Sequence, residues 1–379
     1  MRQTNKIFYR KIQLPVKIKS PVLAVGSQTK NTVCFAEGKF AYLSPIHVDL
    51  NNPQDFLNFE KDIKYFLKKN PKVIAYDLHP EYQSTKYALK LSPITYHLSP
   101  IHHHHAHIAS CMAENGLKNQ KVIGVAFDGT GLGADNKLWG AEFFVCDYKN
   151  FKRETHLKEI PLLGQEKAIL EPYRLTIAWL YAIYKDRFLN LDIPFVKGID
   201  KKKWVVFKQM LLGGLNSPLA SSMGRLFDAV ASLVLTKYRV NFEAELAMEL
   251  EKIAMRDARC AMRYPFKVIK NKDKYIIDPS AMFEELVLDL KAKVSKEKLA
   301  YRFHLTVAEM IKKVCLLLSK ESGIKKIVLS GGVFQNKVLL KLSLDLLYKE
   351  NFTVITHKDL PGNDSSISLG QAVVADFRN

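Results

Sequence analysis

The sequence predicts an α/β fold with two lobes that share a cleft. The chain has 379 residues, which is more than one ordinary domain. Runs typical of β-strands alternate with runs typical of amphipathic helices. A strand, a polar glycine-containing turn and a second strand occur at 22–44 and again at 122–148. We expect each hairpin to open its own lobe, with residues 1–120 in the first and 121–379 in the second.

The first lobe should contain the hairpin, a helix, a strand with a further segment after it, and a histidine-rich helix. After VLAVGSQTKNTVCFAEGKFAYLS, the predicted elements are the helix NPQDFLNFEKDIKYFLKK, the strand KVIAYDL with HPEYQSTKYALKL after it, and the helix in IHHHHAHIASCMAENGL. The histidines would then lie at the mouth of the cleft between the lobes.

The second lobe should begin with its hairpin and continue mainly as helices. The predicted helices are EPYRLTIAWLYAIYK, PLASSMGRLFDAVASLVLTK, EAELAMELEKIAMR and KLAYRFHLTVAEMIKKVCLLLSK. The strand KKIVLS, the helix KVLLKLSLDLLYKE, the strand FTVITH and a last helix from SSISLGQAVVADF follow. We expect this last helix to pack back on the first lobe.

Composition excludes several classes of protein. With 47% hydrophobic residues the chain can bury a core. No run reaches the roughly 18 apolar residues of a membrane span, and the basic start lacks the apolar stretch of a signal peptide. The five cysteines are scattered and never spaced C-x-x-C, which argues against a disulfide framework and a cysteine zinc site. A cytoplasmic protein with reduced cysteines is expected.

The net charge of +19 has two interpretations. It is typical of proteins that bind nucleic acids or nucleotides. The lysines, however, lie in runs such as KDIKYFLKKNPK and KGIDKKKW without interleaved aromatic residues, which favours a solvated lysine-rich surface. Both interpretations allow an anionic nucleotide or an acidic protein partner.

The histidine helix predicts a metal site. Residues four apart share one face of a helix, so His103 and His107 can direct two imidazoles at one ion. Fe²⁺ or Zn²⁺ would also require carboxylates, and Asp128 and Asp364 are acidic residues in glycine- or serine-rich turns. The alternative for such a pair is a capped or solvated helix start.

Two glycine-containing turns are candidates for binding a nucleotide. LSGGVFQN places Gly331 and Gly332 between a strand and a helix start, where backbone amides can accept a phosphate or a nucleoside edge, although such a pair also forms ordinary tight turns. Gly129 and Thr130 of DGTGLG could hold phosphate-bound Mg²⁺ or simply turn a hairpin. Arg225 and Asp228, one helical turn apart, are typical of a surface ion pair.

Taken together, eight motifs resemble one family. VLAVGSQTKNT, AYDLHPEYQST, HHHAHIASCMAE, VIGVAFDGTGLGADNKLWGAEF, EPYR, SSMGRLFDAVASL, LSGGVFQN and PGNDSSISLGQAVVA are similar, in this order, to the C-terminal carbamoyltransferase portion of the HypF hydrogenase maturation proteins. The resemblance runs from about residue 20 to residue 376. It implies a two-lobed fold of the actin, sugar kinase and Hsp70 kind with an interlobe cleft.

The resemblance also implies a reaction. Carbamoyl-adenylate, made from carbamoyl phosphate and ATP, would bind beside a metal in the cleft, and its carbamoyl group would pass to the C-terminal cysteine of HypE. HypE then makes the cyanide ligands of the [NiFe]-hydrogenase iron. The implied metal ligands are His103, His107, Asp128 and Asp364. The implied nucleotide contacts are Lys30, Asn31, Gly129, Thr130, Glu243, Gly331, Gly332 and Asn336, with Glu243 on the ribose. His104 and His105 would contact the substrate as catalytic residues.

Several positions depart from the family pattern. Where the family tends to have glycine, this chain has Gln165, Ala244, Ser365 and Ser366, and these side chains could reshape the nucleotide pocket. The acylphosphatase-like, zinc-finger and adenylate-forming domains of complete family proteins do not precede the matched portion in this sequence. Either the sequence is a fragment of a longer protein, or the transferase is encoded alone and receives carbamoyl-adenylate from another protein. A different acceptor, either a small molecule or a tRNA adenosine, and a non-catalytic nucleotide-binding role remain alternatives.

Overall fold

Two mixed sheets, a small two-stranded sheet and the helices around them make up the described part of the protein. The computed structural model describes residues 9–91, 96–256 and 262–379. The strands in these ranges are β1 Arg10–Ala24, β2 Thr29–Asn31, β3 Cys34–Leu43, β4 His47–Asp49, β5 Val73–Asp77, β6 His97–Ile101, β7 Val122–Leu132, β8 Leu138–Cys146, β9 Phe151–Leu157, β10 Ile160–Pro161, β11 Leu219–Ser222, β12 Lys267–Asn271, β13 Lys274–Asp278, β14 Lys326–Ser330 and β15 Thr353–Ile355.

Helices cover both sheets, which confirms the predicted α/β class. They are α1 Pro53–Leu67, α2 Gln83–Lys90, α3 His103–Glu114, α4 Lys167–Leu170, α5 Tyr173–Tyr184, α6 Pro194–Lys197, α7 Lys201–Gly213, α8 Met223–Leu235, α9 Glu245–Ala254, α10 Ser280–Lys291, α11 Lys296–Ser322, α12 Lys337–Lys349 and α13 Ile367–Arg378. Short 3₁₀ helices lie at Lys185–Asn190, Gly332–Gln335 and Asp364–Ser366.

The same strand arrangement occurs once in each sheet. The first sheet has the order β3-β1-β5-β6, with β3 antiparallel to β1 and with β5 and β6 parallel to it. The second sheet contains the order β8-β7-β14-β15, with β8 antiparallel to β7 and with β14 and β15 parallel to it. The sequence pattern at 22–44 and 122–148 therefore corresponds to the antiparallel pair of each sheet.

Local sequence explains where the helices of the cleft begin. Ser222 caps α8, because its hydroxyl accepts a hydrogen bond from the Arg225 amide. Asn336 caps α12 in the same way, with its side-chain oxygen accepting from the Leu339 amide at 2.9 Å. These caps fix the directions in which the two helices leave the second sheet.

The last helix crosses to the first sheet. α13 packs against both α3 and β1. Gly370 lies where α13 crosses α3, and a Cβ atom on this residue would collide with the Ala106 carbonyl. Because glycine has no Cβ, the two helices approach closely enough to bring the segment before α13 beside the histidines of α3.

The structure extends beyond the predicted elements at several places. β1 begins at Arg10 rather than Val22, and β6, β9, β12, β13, α7 and α10 were not predicted. Cys34, Cys111, Cys146 and Cys315 are free and buried, whereas Cys260 lies outside the described residues. Within the described ranges, every helix is too short or too polar to cross a membrane.

Candidate functional site

Helix α3 presents two imidazoles to the space between the sheets. His103 and His107 lie one turn apart and are completely buried. The backbone leaves β6 at Ile101 and enters α3 two residues later, so the first turn of the helix stands at the carboxyl end of the strand. The Nε2 atoms of both rings face the second sheet, where Asp128 lies.

A bulge in β7 carries Asp128 to these histidines. The pairing of β7 with β8 shifts register between Phe127 and Gly131, which leaves Asp128 out of the regular ladder. The Asp128 Oδ2 atom lies 3.3 Å from Nε2 of both His103 and His107. Its Oδ1 atom accepts a hydrogen bond from the Gly332 amide at 3.2 Å.

Asp364 completes a group of four possible metal ligands. Its Oδ1 atom lies 3.8 Å from His103 Nε2 and 3.6 Å from His107 Nε2. One donor atom from each of His103, His107, Asp128 and Asp364 lies within 4.8 Å of every other. Ligands about 2.0–2.2 Å from a tetrahedral ion stand about 3.3–3.6 Å apart, so this spacing and donor set fit Zn²⁺ or Fe²⁺.

Asp77 is a functional residue that sequence reasoning missed. Its Oδ2 atom accepts from His103 Nδ1 at 2.8 Å, and both side chains are inaccessible to solvent. This bond fixes the tautomer in which His103 directs its Nε2 lone pair at the ligand group, as carboxylates commonly do for metal-binding histidines. The sequence feature that could have indicated Asp77 is its position at the end of the buried strand KVIAYDL.

The carboxylates control the charge of the two imidazoles. Burial lowers the pKa of His103, but Asp77 and Asp128 outweigh burial and raise that pKa well above its usual range. Burial likewise lowers the pKa of His107, and hydrogen bonds to Asp128 and Asp364 raise it overall. Without an ion, the carboxylates therefore favour the protonated form of both rings, and a metal competes with these protons for the ring nitrogens.

The glycine turn after β14 lies directly behind Asp128. Gly331 has φ +107°, and a Cβ atom there would collide with the Phe127 carbonyl. Gly332 is in contact with Asp128 through its amide. The Asn336 amide group donates to His304 at 2.9 Å while its oxygen caps α12, so both ends of this side chain are used inside the protein.

The predicted turn at Gly129 and Thr130 lies beside the exposed carboxylate of Glu243. Gly129 and Thr130 lie in the β7 bulge and are partly exposed. A Cβ atom at Gly129 would stand 2.7 Å from Glu243 Oε1. Glu243 is 53% exposed in its side chain, and Arg225 donates to its Oε1 atom at 2.8 Å. Arg225 therefore holds Glu243 beside the bulge with one carboxylate oxygen available to a ligand.

The expectation of a surface ion pair between Arg225 and Asp228 is wrong. Both side chains are 3% exposed and lie 3.1 Å apart at the buried start of α8. The sequence pattern could not reveal this because the burial comes from β7 and the turn at Gly129. Burial raises the pKa of Asp228 to about 6, although Arg225 opposes the shift.

The remaining predicted residues occupy different places. His104 packs beside Gly131 and His103, is fully buried, and has no hydrogen-bond partner among the described residues. The structure does not bring His105 to the ligand group, because its Nε2 atom bonds to the Asp147 carbonyl at 2.7 Å. Burial lowers the pKa of His105 to about 4, so the ring is neutral.

Lys30 and Asn31 lie on β2, which packs against Asp364–Ser366. Lys30 is exposed and has φ +47°, a left-handed conformation that is uncommon outside glycine. The Asn31 amide points into the first lobe, where it donates to the carbonyls of Val25 and Ser27 at 2.7 and 2.6 Å. Of the two side chains, only Lys30 is free to reach a ligand.

Tyr82 is a second residue that the sequence did not single out. It precedes α2, and its ring stacks on His79 with 4.2 Å between the ring centroids. Burial raises the pKa of Tyr82 well above its usual range, and the charges of Asp77, Asp364, Asp128 and Glu243 add to the effect. The hydroxyl group therefore stays protonated, within the electrostatic influence of these four carboxylates.

Comparison with known proteins gives two adjoining family matches. The family model described as "Carbamoyltransferase, Kae1-like Domain, second subdomain" matches residues 124–371, and that of the "HypF Kae1-like domain" matches residues 17–114. The "Carbamoyltransferase HypF" of Synechocystis sp. is 33% identical over 376 residues, 95% of this chain and 48% of that protein. The chain thus spans about half the length of this relative.

A shorter relative and two solved structures match over nearly the whole chain. The "Carbamoyltransferase HypF homolog" of Cupriavidus necator is 32% identical over 94% of this chain and 91% of its own length. A full-length HypF in its phosphate- and nucleotide-bound form has a TM-score of 0.88 and 39% identity over 97% of this chain and 47% of that chain. HypF of T. kodakarensis has the same TM-score, 28% identity and coverage of 100% and 50%. The two-lobed fold predicted from the sequence is confirmed.

Proposed function

Because the chain belongs to the HypF carbamoyltransferase family, we propose that it transfers a carbamoyl group from carbamoyl-adenylate to a cysteine thiol. The acceptor is the C-terminal cysteine of a HypE-like protein, in the pathway that makes the cyanide ligands of [NiFe]-hydrogenase. The observation that carries the proposal is the group of four ligands, His103, His107, Asp128 and Asp364, beside the Gly331–Gly332 turn.

His103, His107, Asp128 and Asp364 would hold a divalent ion, Fe²⁺ or Zn²⁺, and this ion would supply Lewis-acid chemistry beside the substrate. His103 is oriented for this task by Asp77, and Asp128 is oriented by the Gly332 amide. These contacts hold the side chains of His103 and Asp128 in place before the substrate arrives. Binding therefore requires less reorganisation of the site.

The adenylate lies between the β7 bulge and the turn after β14. Glu243, held by Arg225, accepts hydrogen bonds from the ribose hydroxyls. Gly129, Gly331 and Gly332 allow the nucleotide to approach the backbone, and Lys30 supplies a positive charge from β2. A phosphate-bound Mg²⁺ beside Thr130 is compatible with this arrangement.

The nucleophile comes from outside the chain. Burial raises the pKa of Cys34, Cys111, Cys146 and Cys315, so none of the cysteines in the described ranges is available as a thiolate. The acceptor thiolate attacks the carbamoyl carbon, and AMP leaves. Tyr82, which stays protonated, donates a hydrogen bond to the oxygen that gains charge during the attack.

A second candidate acceptor is RNA, which the net charge of +19 favours. A carbamoyltransferase that used a tRNA adenosine would bind tRNA with an affinity that falls steeply as salt rises. Filter binding at low and high salt checks this candidate, and undetectable tRNA binding at low salt would remove it.

The mass of the acceptor tests the leading proposal. The purified chain, supplied with metal and preformed carbamoyl-adenylate, should add one carbamoyl group to a HypE-like protein. With carbamoyl phosphate and ATP instead, we expect no transfer unless an adenylate-forming protein is added. His107→Ala should abolish transfer, whereas His105→Gln, on the same helix but outside the ligand group, should retain it. Full transfer by His107→Ala would refute the proposed site.

A further inference from the structure

Three side chains far apart in sequence form a buried hydrogen-bonded chain. His357 Nδ1 lies 2.7 Å from Glu114 Oε2, and His357 Nε2 lies 2.9 Å from Ser330 Oγ. The side chains of Glu114 and His357 are 3% and 7% exposed, and Ser330 is inaccessible to solvent. A carboxylate accepts the Nδ1 proton, and the other ring nitrogen, Nε2, is hydrogen-bonded to the serine hydroxyl.

Glu114 also fixes the backbone that follows His357. Its Oε1 atom accepts hydrogen bonds from the amides of Asp359 and Leu360 at 2.5 and 2.7 Å and from that of Lys358 at 3.1 Å. Burial raises the pKa of Glu114, but the bonds from His357 and these amides outweigh it and keep the pKa below its usual range. A charged carboxylate at the end of α3 therefore clamps the segment 357–360.

This segment leads directly to Asp364. The Gly362 carbonyl accepts from the Gly331 amide at 3.0 Å, so the chain is anchored again two residues before the carboxylate ligand. Glu114 and the ligands His103 and His107 belong to the same helix, whereas Asp364 belongs to the anchored segment. The hydrogen bonds from Glu114 to His357 and from His357 to Ser330 thus connect α3 with the segment that leads to Asp364. These two parts of the structure supply opposite sides of the ligand group.

The geometry points to Glu114, His357 and Ser330 as positioning residues that set the distance between α3 and Asp364 and so determine metal affinity. This inference rests on the proposed metal site. Without His357, the segment 357–363 would keep its backbone bonds to Glu114 but lose its link to Ser330 at the glycine turn. Small displacements of Asp364 would then weaken coordination, as changes to residues behind metal ligands commonly do, by about 10–100-fold.

The same three residue types form nucleophilic triads in hydrolases, but the surroundings here exclude that use. Ser330 has no exposed surface. The amides that follow it are already used, since Gly331 donates to Gly362 and Gly332 donates to Asp128. The serine therefore lacks both access for a substrate and free amides to stabilise an oxyanion.

Binding of Co²⁺ to the full chain tests the positioning role. We expect His357→Leu to bind Co²⁺ about 10–100-fold more weakly than the wild type, with an altered visible absorption spectrum. His357→Gln should recover most of the affinity, because its amide can donate to Glu114 and accept from Ser330. Ser330→Ala serves as a milder variant if His357→Leu does not fold.

Tyr148→Phe is the matched control for stability. It removes the hydrogen bond from Tyr148 to the Leu117 carbonyl, just beyond the same end of α3, without touching the segment 357–364. Its melting temperature should fall while Co²⁺ affinity and spectrum stay as in the wild type. Wild-type affinity and spectrum in His357→Leu and Ser330→Ala would overturn the positioning role alone. Failure of the wild type to bind Co²⁺ would overturn the metal site and this inference with it.

Discussion

Asp77 holds the His103 ring so that its Nε2 atom faces the proposed metal site. Asp77→Asn would replace a carboxylate acceptor with an amide that can also donate, so the His103 tautomer would no longer be fixed. We expect Zn²⁺ affinity to fall about 10–100-fold. Competition with a chromophoric chelator measures the effect.

Asp62 provides the matched control for Asp77. It holds His47 in the first lobe with 3.0 Å between Asp62 Oδ2 and His47 Nε2, away from the ligand group. Asp62→Asn should lower stability and leave Zn²⁺ affinity unchanged. Equal losses of affinity in the two variants would mean that Asp77 acts only through the stability of the fold.

Tyr82 should act on the rate of transfer rather than on binding. Tyr82→Phe removes the donor that we place on the developing oxyanion, and loss of one such donor costs about 100–1,000-fold in kcat. KM for carbamoyl-adenylate should change little. Tyr87→Phe is the control and should keep full activity, because Tyr87 lies on α2, the helix that Tyr82 precedes, and packs its ring against Phe59. An unchanged kcat in Tyr82→Phe would exclude the assigned role.

Site residues that belong to a local sequence pattern could be predicted from the sequence. Residues whose role depends on contacts with distant parts of the chain could not. His103 and His107 follow from helical spacing, and the turns around Asp128 and Asp364 are visible in the sequence. His357 acquires its role from Glu114, 243 residues earlier in the chain. No local pattern records such a contact.

At the scale of single elements, the start of α9 contains a strained residue. Ala244 has φ +66° and immediately precedes the helix. Ala244→Gly should raise the free energy of unfolding by about 0.5–1 kcal/mol, because glycine adopts this conformation without a Cβ penalty. Urea denaturation measures the change.

Ala247 lies inside the same helix and serves as the comparison. Ala247→Gly should lower the free energy of unfolding by about 1 kcal/mol, since glycine is a poor helix former. If both glycine variants were equally destabilising, strain at Ala244 would not account for the difference between the two positions.

The elements themselves were predictable where a single periodicity dominates. The predicted helix NPQDFLNFEKDIKYFLKK and the histidine helix correspond to α1 and α3. β1 was recognised only from Val22, because Pro15 and Pro21 interrupt its sequence and its pairing with β3 shifts register twice. Prolines inside a strand are tolerated at such irregularities, and the sequence alone does not show where they occur.

At the scale of the whole molecule, metal binding and pH should be linked. The carboxylates raise the pKa of His103 and His107 in the metal-free protein. A raised pKa in the folded state contributes stability below the unfolded pKa of about 6.5, and this contribution is lost as pH rises through the folded value. A metal displaces both protons, so the metal-induced rise in melting temperature should be larger at about pH 8 than at about pH 6. Equal rises at both values would contradict the coupling.

The most direct measurement is the rate of carbamoyl transfer as metal is returned to chelator-treated protein. With preformed carbamoyl-adenylate and a HypE-like acceptor, the metal-free chain should be inactive. Activity should rise with added Fe²⁺ or Zn²⁺ and level off at one ion per chain, whereas Asp364→Asn should stay nearly inactive at the same metal concentrations. Full transfer by the metal-free chain would contradict a metal-dependent carbamoyltransferase centred on His103, His107, Asp128 and Asp364.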